Sequence, residues 1–567
     1  MDRRLGHLQV LLMGACCVLV LRLIHLQLVR GAYYRQLAEQ NRLRLVPEPA
    51  PRGLIVDRSG RILAANQTVF RVTLVPQELE DLPAVLAHVS AVVHRPVEAL
   101  QRELRREQGL AFLPATIVSR VPKAVAIRLE EERWQLPGLL IRPETVRSYP
   151  LGSTAAHLVG YLSQPTPDEL PLLKQYGVRP KELVGRMGLE RALDHALRGR
   201  PGGLMIEVDH RGRQVRVISH RPPEAGARVV LTIDAQLQSL IEQAFGAQSG
   251  AAVVLQPETG ELLAMVSVPA FAPDVFTAPD VEAVRRLLND PAAPLMNRAT
   301  VGIYQPGSIM KLVTASAALE QQLITPSTSI DCPGSLTIGD RVFHCWFQDG
   351  HGPMTLREAL MQSCNVYFMH VGLKLGAQRL RSAMEAMGFS HRTGWPFEEQ
   401  SGQLPQRRLT DGDVAQLAIG QGELLVTVLQ VARMASVFAN KGWLVEPWVV
   451  RSIADRPTGH RLPPRRLGWS DETIEAVREG MKAVVADRSG TGHRAWSSLV
   501  SIAGKTGTAQ TSVPGRTHGW FVGFCPVEQP RIAMAIVAEH GGSGGALPAE
   551  IAKSICEYVS LTGLSRE

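Results

Sequence analysis

The first hydrophobic pattern in the chain is a long one at its N-terminus. Residues 8–21 read LQVLLMGACCVLVL, and apolar residues continue as far as Val29. Because a helix needs roughly 20 mostly apolar residues to cross a bilayer, the pattern predicts a transmembrane anchor over residues 7–29. A cleaved signal peptide is the alternative, but no small-x-small cleavage site follows the run. We therefore expect an uncleaved anchor after a short cytoplasmic tail, residues 1–6.

Beyond the anchor, the spacing of apolar residues divides the chain into two regions. Residues 53–75 alternate as strands do, around the turn at 57–60, whereas residues 80–135 have mostly helical periodicity. Turn-rich sequence follows before a new strand-like segment begins. These changes predict an N-terminal domain over residues 30–225 and a C-terminal domain over residues 226–562.

The C-terminal region begins and ends with strands. Residues 251–255 and 262–268 are apolar runs on either side of the turn Pro257-Glu-Thr-Gly260, which is the pattern of a hairpin. Residues 519–524 and 531–537 predict two further strands, followed by a terminal helix, and helical sequence fills the interval between the strand pairs. This order predicts an α+β domain in which the two ends of the region share one antiparallel sheet.

Composition and charge mainly exclude other classes of protein. Hydrophobic residues make up 45% of the 567 residues and charged residues 20%, which is typical of globular domains. The net charge is +8, but no basic run is interleaved with aromatic residues, so nucleic-acid binding is not expected. Seven cysteines without regular spacing are not a disulfide framework. Cys525 and Cys556 are expected to be core residues.

The C-terminal region also carries three short motifs with nucleophilic chemistry. The first is Ser308-Ile-Met-Lys311, which follows a Pro-Gly pair and opens an apolar helix. Residues three apart lie on one face of a helix, so the Lys311 amine can reach the Ser308 hydroxyl. A serine becomes a strong nucleophile when a base accepts its proton, and lysine is such a base when burial or a neighbouring cation lowers its pKa. The amides of the helix N-terminus can stabilise an oxyanion.

The other two motifs follow in order along the chain. Ser363-Cys-Asn365 offers a hydroxyl that can relay a proton and an amide that can hold a substrate amide. Lys505-Thr-Gly-Thr508 follows a strand-like segment, and a strand edge with exposed amides can bind an extended peptide. Gly507 lets the backbone approach closely, and Lys505 can bind a carboxylate. Each motif alone is common by chance, but together, in a chain with only nine lysines, they indicate one site.

This set of motifs is the one found in penicillin-binding proteins and class A β-lactamases. Over nearly its whole length the chain resembles a class B penicillin-binding protein. Residues 518–524, with Glu539 and the glycines at 541–545, are more similar to the elongation type than to the division type. The resemblance implies a penicillin-binding/β-lactamase-like transpeptidase domain, an elongated N-terminal pedestal or dimerisation domain, and one transmembrane helix. Four further segments carry the resemblance, namely residues 51–64, 185–190, 304–308 and 420–422.

The resemblance also implies a reaction. It is peptidoglycan D,D-transpeptidation, which cross-links stem peptides through a serine acyl-enzyme during cell-wall synthesis and is inhibited by β-lactams. Ser308 attacks the D-Ala-D-Ala carbonyl, Lys311 is the general base, and Ser363 relays the proton to the leaving amine. An amine of a second stem peptide then takes the acyl group.

The remaining site residues are implied to bind the substrate. Asn365 binds the donor peptide, and Lys505 and Thr506 recognise its terminal carboxylate. The backbone amides of Ser308 and Thr508 form the oxyanion hole, with Gly507 between the two threonines. No cofactor is expected for catalysis.

Location and partners follow from the same resemblance. The substrates are peptidoglycan stem peptides and their lipid-linked precursor. No second catalytic domain for glycan polymerisation is evident in the sequence, so the resemblance implies a membrane polymerase of the SEDS family as partner. The expected location is the bacterial plasma (inner) membrane, crossed once, with the catalytic domain outside the cytoplasm.

Three cysteines and a histidine are candidates for a structural metal site. Cys332, Cys345, His351 and Cys364 are 13, 6 and 13 residues apart, and three cysteines with one histidine is a common zinc set. Some elongation-type relatives resemble this chain in carrying metal ligands at these places. Zinc would tie the loop 332–351 to the base of the Ser363–Asn365 loop, and with all four positions filled its role would be structural. A disulfide and unpaired buried thiols are the alternatives.

Other functions are compatible with parts of the pattern. A D,D-carboxypeptidase, in which water replaces the acceptor amine, has the same motifs. A β-lactamase is less expected because the chain is long and anchored, and no deacylating glutamate can be placed. A β-lactam sensor would need more membrane segments, and a catalytically silent scaffold would have lost a catalytic residue.

Overall fold

The apolar N-terminal run forms a continuous helix in the computed structural model. Helix α1, Asp2–Ile24, continues as a π-helical turn over His25–Val29. The stretch Gly6–Val29 has 24 residues and a mean hydropathy of 2.1, and none of its most apolar part is buried in protein. By length and composition it can cross a membrane, as the sequence predicts.

The structure describes residues 2–75, 79, 81–107, 114–175, 178, 182–208, 214–277, 280–458, 463–511 and 513–564. Within these ranges the chain forms two compact units, each assembled from non-consecutive segments. The first unit comprises the residues up to Arg52, Asn66–Val146 and Arg198–Gly226, and the second comprises Gly53–Ala65, Arg147–Leu197 and the residues from Ala227 onwards.

The first 226 residues contain short elements. Their helices after α1 are α2 Gly31–Arg42, α3 Leu82–Val93, α4 Val97–Glu107, α5 Lys123–Glu131, α6 Ala156–Val159, α7 Leu170–Gln175, α8 Gly188–Ala192 and α9 Asp194–Leu197. Their strands are β1 Leu43–Glu48, β2 Ile55–Val56, β3 Ile62–Leu74, β4 Ala115–Val121, β5 Leu139–Ser148, β6 Leu162–Ser163, β7 Val184–Gly185, β8 Gly202–Val208 and β9 Gln214–Arg221.

The remaining residues contain longer helices and the main sheet. The helices are α10 Ala235–Phe245, α11 Val281–Leu288, α12 Lys311–Glu320, α13 Leu356–Met361, α14 Asn365–Ala386, α15 Asp411–Ala418, α16 Val428–Ala439, α17 Asp471–Ala486 and α18 Leu547–Thr562. The strands are β10 Val229–Leu231, β11 Gly250–Leu255, β12 Leu262–Val268, β13 Ile330–Cys332, β14 Ser335–Ile338, β15 Arg341–His344, β16 Gly352–Met354, β17 Trp443–Leu444, β18 Val450–Ile453, β19 Arg456–Pro457, β20 Arg465–Arg466, β21 Ala503–Gln510, β22 Thr517–Cys525 and β23 Ile532–Ala538.

The first unit contains a separate small core. Strand β8 pairs antiparallel with β1 and β9, and β4 pairs antiparallel with the end of β3. Leu86 of α3, Leu100 of α4 and Ile117 of β4 are buried together. The prediction of mostly helix over residues 80–135 was therefore wrong at β4. Its apolar residues are all buried and its polar residues are half-buried, because the segment completes a sheet that packs on α3 and α4.

The second unit is built on a five-stranded antiparallel sheet with the order β12-β11-β23-β22-β21. The hairpin β11–β12 forms as predicted, and β11 also pairs with β23, so the two ends of the region share the sheet. All residues of β11, β12 and β23 are buried because helices cover both faces. The α+β prediction is confirmed.

The back of this sheet is covered by α10 and α18. Leu237 and Ile241 of α10 pack in one cluster with Ile555 of α18. Cys525 at the end of β22 and Cys556 of α18 are buried there, as expected of core residues. The sequence did not predict that their two sulfurs form a disulfide, as they do in the structure. The fold brings these two residues, 31 positions apart, into contact, and their spacing along the chain does not reveal this.

The second unit also includes two early segments that the sequence assigned to the N-terminal domain. Residues Ile55 and Val56 pair in parallel with β10. Leu158, Leu189 and Leu197 are buried in the core that α12, α14 and α16 also form. By its contacts the chain therefore divides discontinuously, whereas the predicted domains meet at a single cut between residues 225 and 226. These segments belong to the second unit because their apolar side chains are buried in its core, although they lie far from its other segments along the chain.

Candidate active site

Ser308 lies in a tight turn against the edge of the sheet. The 3-10 turn Gly307–Met310 leads directly into α12. Gly307 has a φ of 56°, and its amide donates to the carbonyl of Gly420 at 2.9 Å. A Cβ at Gly307 would lie 2.7 Å from the carbonyl oxygen of Thr508, so glycine lets the turn approach β21. The serine is thereby placed at the start of a helix, beside the third motif.

Lys311 is fully buried one turn after Ser308. Its Nζ donates to Asn365 Oδ1 at 2.7 Å, to the Ser363 carbonyl oxygen at 2.8 Å and to Ser363 Oγ at 3.2 Å. Burial lowers the pKa of Lys311 to about 8, although the thiol of Cys364 acts in the opposite direction. The neutral amine that a general base requires is therefore accessible near neutral pH.

Ser363 stands between two lysines. Its hydroxyl oxygen accepts from Lys505 Nζ at 2.8 Å on one side and lies 3.2 Å from Lys311 Nζ on the other. Ser363 is in a left-handed conformation, with a φ of 55°, just before α14 begins at Asn365. Burial and the charge of Lys311 hold the pKa of Lys505 well below its ordinary value. A hydroxyl bonded to two amines of lowered basicity suits the transfer of a proton.

Strand β21, which carries the third motif, is the outer strand of the five-stranded sheet. Lys505 is fully buried and also donates to the Thr506 carbonyl at 2.9 Å, whereas the Thr508 side chain is exposed. The Thr506 hydroxyl donates to Thr491 Oγ1 at 2.7 Å. An outer strand presents unpaired amides and carbonyls, so a peptide can add to it as a further strand.

The fold brings the predicted residues of the three motifs together. Lys311, Ser363, Asn365 and Lys505 form one hydrogen-bonded group, and the turn before Ser308 contacts β21 at Gly507, where a Cβ would lie 2.9 Å from the Pro306 carbonyl oxygen. Sequence reasoning missed Thr491, which holds Thr506. No local signal marks it, since it lies in the loop after α17.

The four candidate metal ligands also converge, next to the second motif. Cys332 ends β13, Cys345 follows β15, His351 precedes β16 and Cys364 precedes α14. Their ligand atoms all lie within 4.8 Å of one another, and the three cysteines are buried. The His351 Nδ1 atom is 3.5 Å from Cys332 Sγ and 3.6 Å from Cys345 Sγ. Bonds of roughly 2.3 Å to a tetrahedral zinc would separate two sulfurs by about 3.8 Å, so the cluster fits such an ion closely.

The three thiols of the cluster are unpaired and influence one another. A hydrogen bond with Cys364 lowers the pKa of Cys345 to about 4, and the same bond raises the pKa of Cys364. Cys345 Sγ also accepts from the amide of Asn365 at 3.4 Å. The group therefore favours a thiolate, which is the form of cysteine that binds a metal.

Comparison with known proteins gives consistent matches over the chain. A family model described as "Penicillin binding protein transpeptidase domain" matches residues 250–557, and one described as "Penicillin-binding Protein dimerisation domain" matches residues 47–231. The "Peptidoglycan D,D-transpeptidase MrdA" of Haemophilus influenzae is 31% identical over 95% of this chain and 89% of its own length.

Solved structures are similar over most of the length as well. A "Complex between Penicillin-Binding Protein (PBP2) and MreC from Helicobacter pylori" contains a chain that matches with a TM-score of 0.80 and 27% identity, covering 92% of this chain and 99% of that one. A structure titled "Structural coordination of polymerization and crosslinking by a peptidoglycan synthase complex" matches with a TM-score of 0.76 and 29% identity, covering 99% of this chain and 98% of that one.

Proposed function

The chain belongs to the class B penicillin-binding proteins, of the elongation type and with peptidoglycan D,D-transpeptidase activity, and we propose that Ser308 is the residue that forms its acyl-enzyme. One observation carries this proposal. Lys311 is buried one turn after Ser308, and its amine is hydrogen-bonded to Ser363, which also accepts from Lys505. The group thus contains a base of lowered pKa in contact with a proton relay, one turn away from the proposed nucleophile Ser308.

The first half of the reaction is acylation. Ser308 Oγ attacks the carbonyl carbon of the D-Ala-D-Ala bond while its proton passes to Lys311. The amide N–H groups of Ser308 and Thr508 donate to the oxyanion that forms. The C–N bond then breaks, and the terminal D-Ala leaves as an amine after taking a proton from Ser363, which regains one from Lys311. The product is an ester between Ser308 and the donor peptide.

Binding of the donor peptide uses β21 and the second motif. The peptide adds along the open edge of β21, and the Asn365 side chain holds a peptide amide. The Thr506 hydroxyl turns from Thr491 Oγ1 to donate its proton to the terminal carboxylate. Lys505 is fully buried behind Ser363, so we infer that it attracts the carboxylate by its charge rather than by direct contact.

The second half of the reaction transfers the acyl group. The amine of a second stem peptide attacks the ester carbonyl, Ser363 and Lys311 take up its proton, and Ser308 leaves with a proton restored to its oxygen. An amide cross-link replaces the ester. The relatives are named transpeptidases, which favours this amine over water as the acceptor.

Covalent labelling by a fluorescent penicillin tests the role of Ser308. The full-length protein is expected to retain the label after denaturation, whereas Ser308→Ala is expected to lose it completely. Ser316→Ala is the matched control, because Ser316 lies on α12, directly after the Ser308 turn, and its hydroxyl donates to the Leu312 carbonyl. Full labelling of folded Ser308→Ala would refute the assignment, as would an unlabelled but folded parent.

We also propose that the Cys332, Cys345, His351 and Cys364 cluster holds a structural zinc ion. The short distances among the four ligand atoms, the burial of the thiols and the lowered pKa of Cys345 support it. When bound, zinc would fix the segments from β13 to β16 against Cys364, the middle residue of the second motif. No catalytic step passes through the ion, because all four positions around it are filled by protein.

Metal analysis of the purified protein tests this site. About one zinc per chain is expected, and Cys332→Ser should lose it and unfold at a lower temperature, at roughly 2–4 °C for each kcal/mol lost. The double variant Cys16→Ser/Cys17→Ser is the control, since both cysteines are exposed on α1. A parent that contains no zinc when purified without chelators would contradict the proposal.

We propose the location and the partners from the apolar helix and from a similar structure. The apolar helix Gly6–Val29 supports a single-pass membrane anchor. The proposed location is the bacterial inner membrane, with the second unit outside the cytoplasm. A similar structure is described as coordinating polymerisation with cross-linking, which supports a glycan polymerase of the SEDS family as partner. Lipid-linked precursor and stem peptides are the proposed substrates, and β-lactams the inhibitors.

A further inference from the structure

A partly buried carboxylate lies behind the turn that carries Ser308. Glu539 follows β23, and its Oε2 accepts from Arg298 Nε at 2.9 Å while its Oε1 accepts from the Tyr304 hydroxyl at 2.8 Å. The Arg298 side chain is 5% exposed and that of Glu539 17%. Removing a charged group from water is costly unless it is paired, so this bridge holds its three members in a defined arrangement.

The Glu539 end of this hydrogen-bonded group is held by the residues just before β11. The amide of Glu539 donates to the Ser249 carbonyl at 2.8 Å, and its carbonyl accepts from the Gln248 side chain. Arg298 also donates through its Nη atoms to the carbonyls of Ala292 and Ala293, at 2.7 and 3.1 Å. The carboxylate is therefore a fixed point and not a mobile surface group.

The near side of the bridge is the turn itself. Tyr304 is four residues before Ser308, and burial together with the Glu539 charge holds the pKa of Tyr304 well above its ordinary value, so its hydroxyl keeps the donated proton. Its ring makes edge contacts with Trp520, whose Nε1 donates to the Gln305 carbonyl at 3.0 Å. Gly307 is held by Gly420. The turn is thus held at Tyr304, Gln305 and Gly307, and the hydrogen bond to Glu539 is its side-chain anchor at Tyr304.

We propose that Glu539 is a positioning residue for acylation, which acts through Tyr304 to hold the turn 304–308 and so places the Ser308 hydroxyl and amide. The inference rests on the proposed role of Ser308 as the nucleophile. In this role neither Glu539 nor Tyr304 contacts the substrate. Because a misplacement of about 1 Å can cost roughly 10²-fold in rate, the bridge matters to the reaction beyond its share in folding.

The sharpest test is Tyr304→Phe in the full-length protein. This change removes one hydroxyl, keeps the ring contacts and leaves Glu539 paired with Arg298. Stopped-flow acylation by a fluorescent penicillin separates the non-covalent dissociation constant from the acylation rate constant. We expect the rate constant to fall about tenfold, with the dissociation constant and the melting temperature close to those of the parent.

Tyr558→Phe is the matched control. It also removes a tyrosine hydroxyl that donates to a carboxylate, Asp234 Oδ1 at 3.1 Å, but on the helix behind the sheet. An acylation rate constant of Tyr304→Phe equal to the parent's would overturn the proposal. So would an equal loss in Tyr558→Phe, which would make the effect a general one on folding. Failure of the parent to acylate would instead refute the role of Ser308.

Discussion

At the scale of single residues, the chemistry depends on where lysines are placed. Lys311 and Lys505 are both fully buried, although lysine is among the residues least often found inside proteins. The energy to bury them is offset by hydrogen bonds to Ser363, Asn365 and the Thr506 carbonyl. Burial disfavours the charged amine, so Lys311 can act as the proposed base near neutral pH.

Acylation should therefore depend on pH through Lys311. Because its pKa is lowered to about 8, the fraction of neutral amine rises as pH increases toward that value. The acylation rate constant is expected to rise nearly tenfold per pH unit below about 8 and to level off above it. Stopped-flow labelling with penicillin at a series of pH values measures this profile.

Lys311→Arg supplies the comparison for the pH profile. A guanidinium stays protonated throughout the range, so this variant is expected to acylate at least ~10²-fold more slowly and without the rise. A parent rate constant that stays level as pH increases through neutrality would show that another group accepts the proton.

At the scale of elements, the site depends on close contact between β21 and the turn before α12. Gly507 of β21 faces the Pro306 carbonyl, and Gly307 of the turn faces the Thr508 carbonyl. Both positions exclude a side chain because backbone atoms lie within 3 Å of the place where a Cβ would be. The two glycines thus set the separation between the Ser308 turn and β21, which we propose to carry the nucleophile and to bind the substrate.

Gly507→Ala is expected to impair acylation more than stability. The added methyl would lie 2.9 Å from the Pro306 carbonyl oxygen and 3.1 Å from Ile309 Cγ2, so the turn has to move away from β21. We expect a cost of ~1–3 kcal/mol in the free energy of unfolding. The acylation rate constant should fall by roughly 10²-fold because Ser308 is displaced.

The matched substitution for this comparison is Gly468→Ala. A Cβ at Gly468 meets no atom within 4 Å, so neither stability nor acylation should change appreciably. Thermal unfolding and penicillin labelling measure the two quantities on the same preparations. Acylation of Gly507→Ala at the rate of Gly468→Ala would show that the contact is not needed.

At the scale of the whole molecule, the catalytic unit is not a continuous piece of chain. Residues Arg147–Leu197 fold with the C-terminal region, and Leu158, Leu189 and Leu197 are fully buried in its core. Arg147 and Glu190 form an ion pair there at 2.7 Å, with almost no exposure. The motif segment around residues 185–190 is thus part of the catalytic unit's structure.

A chain shortened to begin at residue 227 should therefore be unstable. Loss of the three leucines leaves their apolar partners exposed, and patches of that kind promote aggregation. We expect it to aggregate on size-exclusion chromatography and to unfold well below the parent. A chain that lacks only residues 1–29 keeps every segment of this unit and should remain folded and labelled. A stable, acylated chain from residue 227 would contradict the division.

Local sequence was enough to predict several elements of the fold and the residue types of the candidate site. The apolar run, the β11–β12 hairpin and the strands β22 and β23 follow from local periodicity, because burial of one face or of both leaves a repeat that can be read along the chain. The three motifs each combine side chains with a fixed local chemistry, such as Ser308 and Lys311 on one turn. These features depend on neighbours in sequence.

Which distant groups meet depends on how the whole chain packs. Ser363 and Lys505 are 142 residues apart, Tyr304 and Glu539 are 235 apart, and Cys525 pairs with Cys556. The early segments at 53–65 and 147–197 join the catalytic unit, and β4 becomes a strand, for the same physical reason. Burial and hydrogen bonding must be satisfied across the whole fold. A local sequence pattern is compatible with several folds, and packing of the whole chain selects one of them.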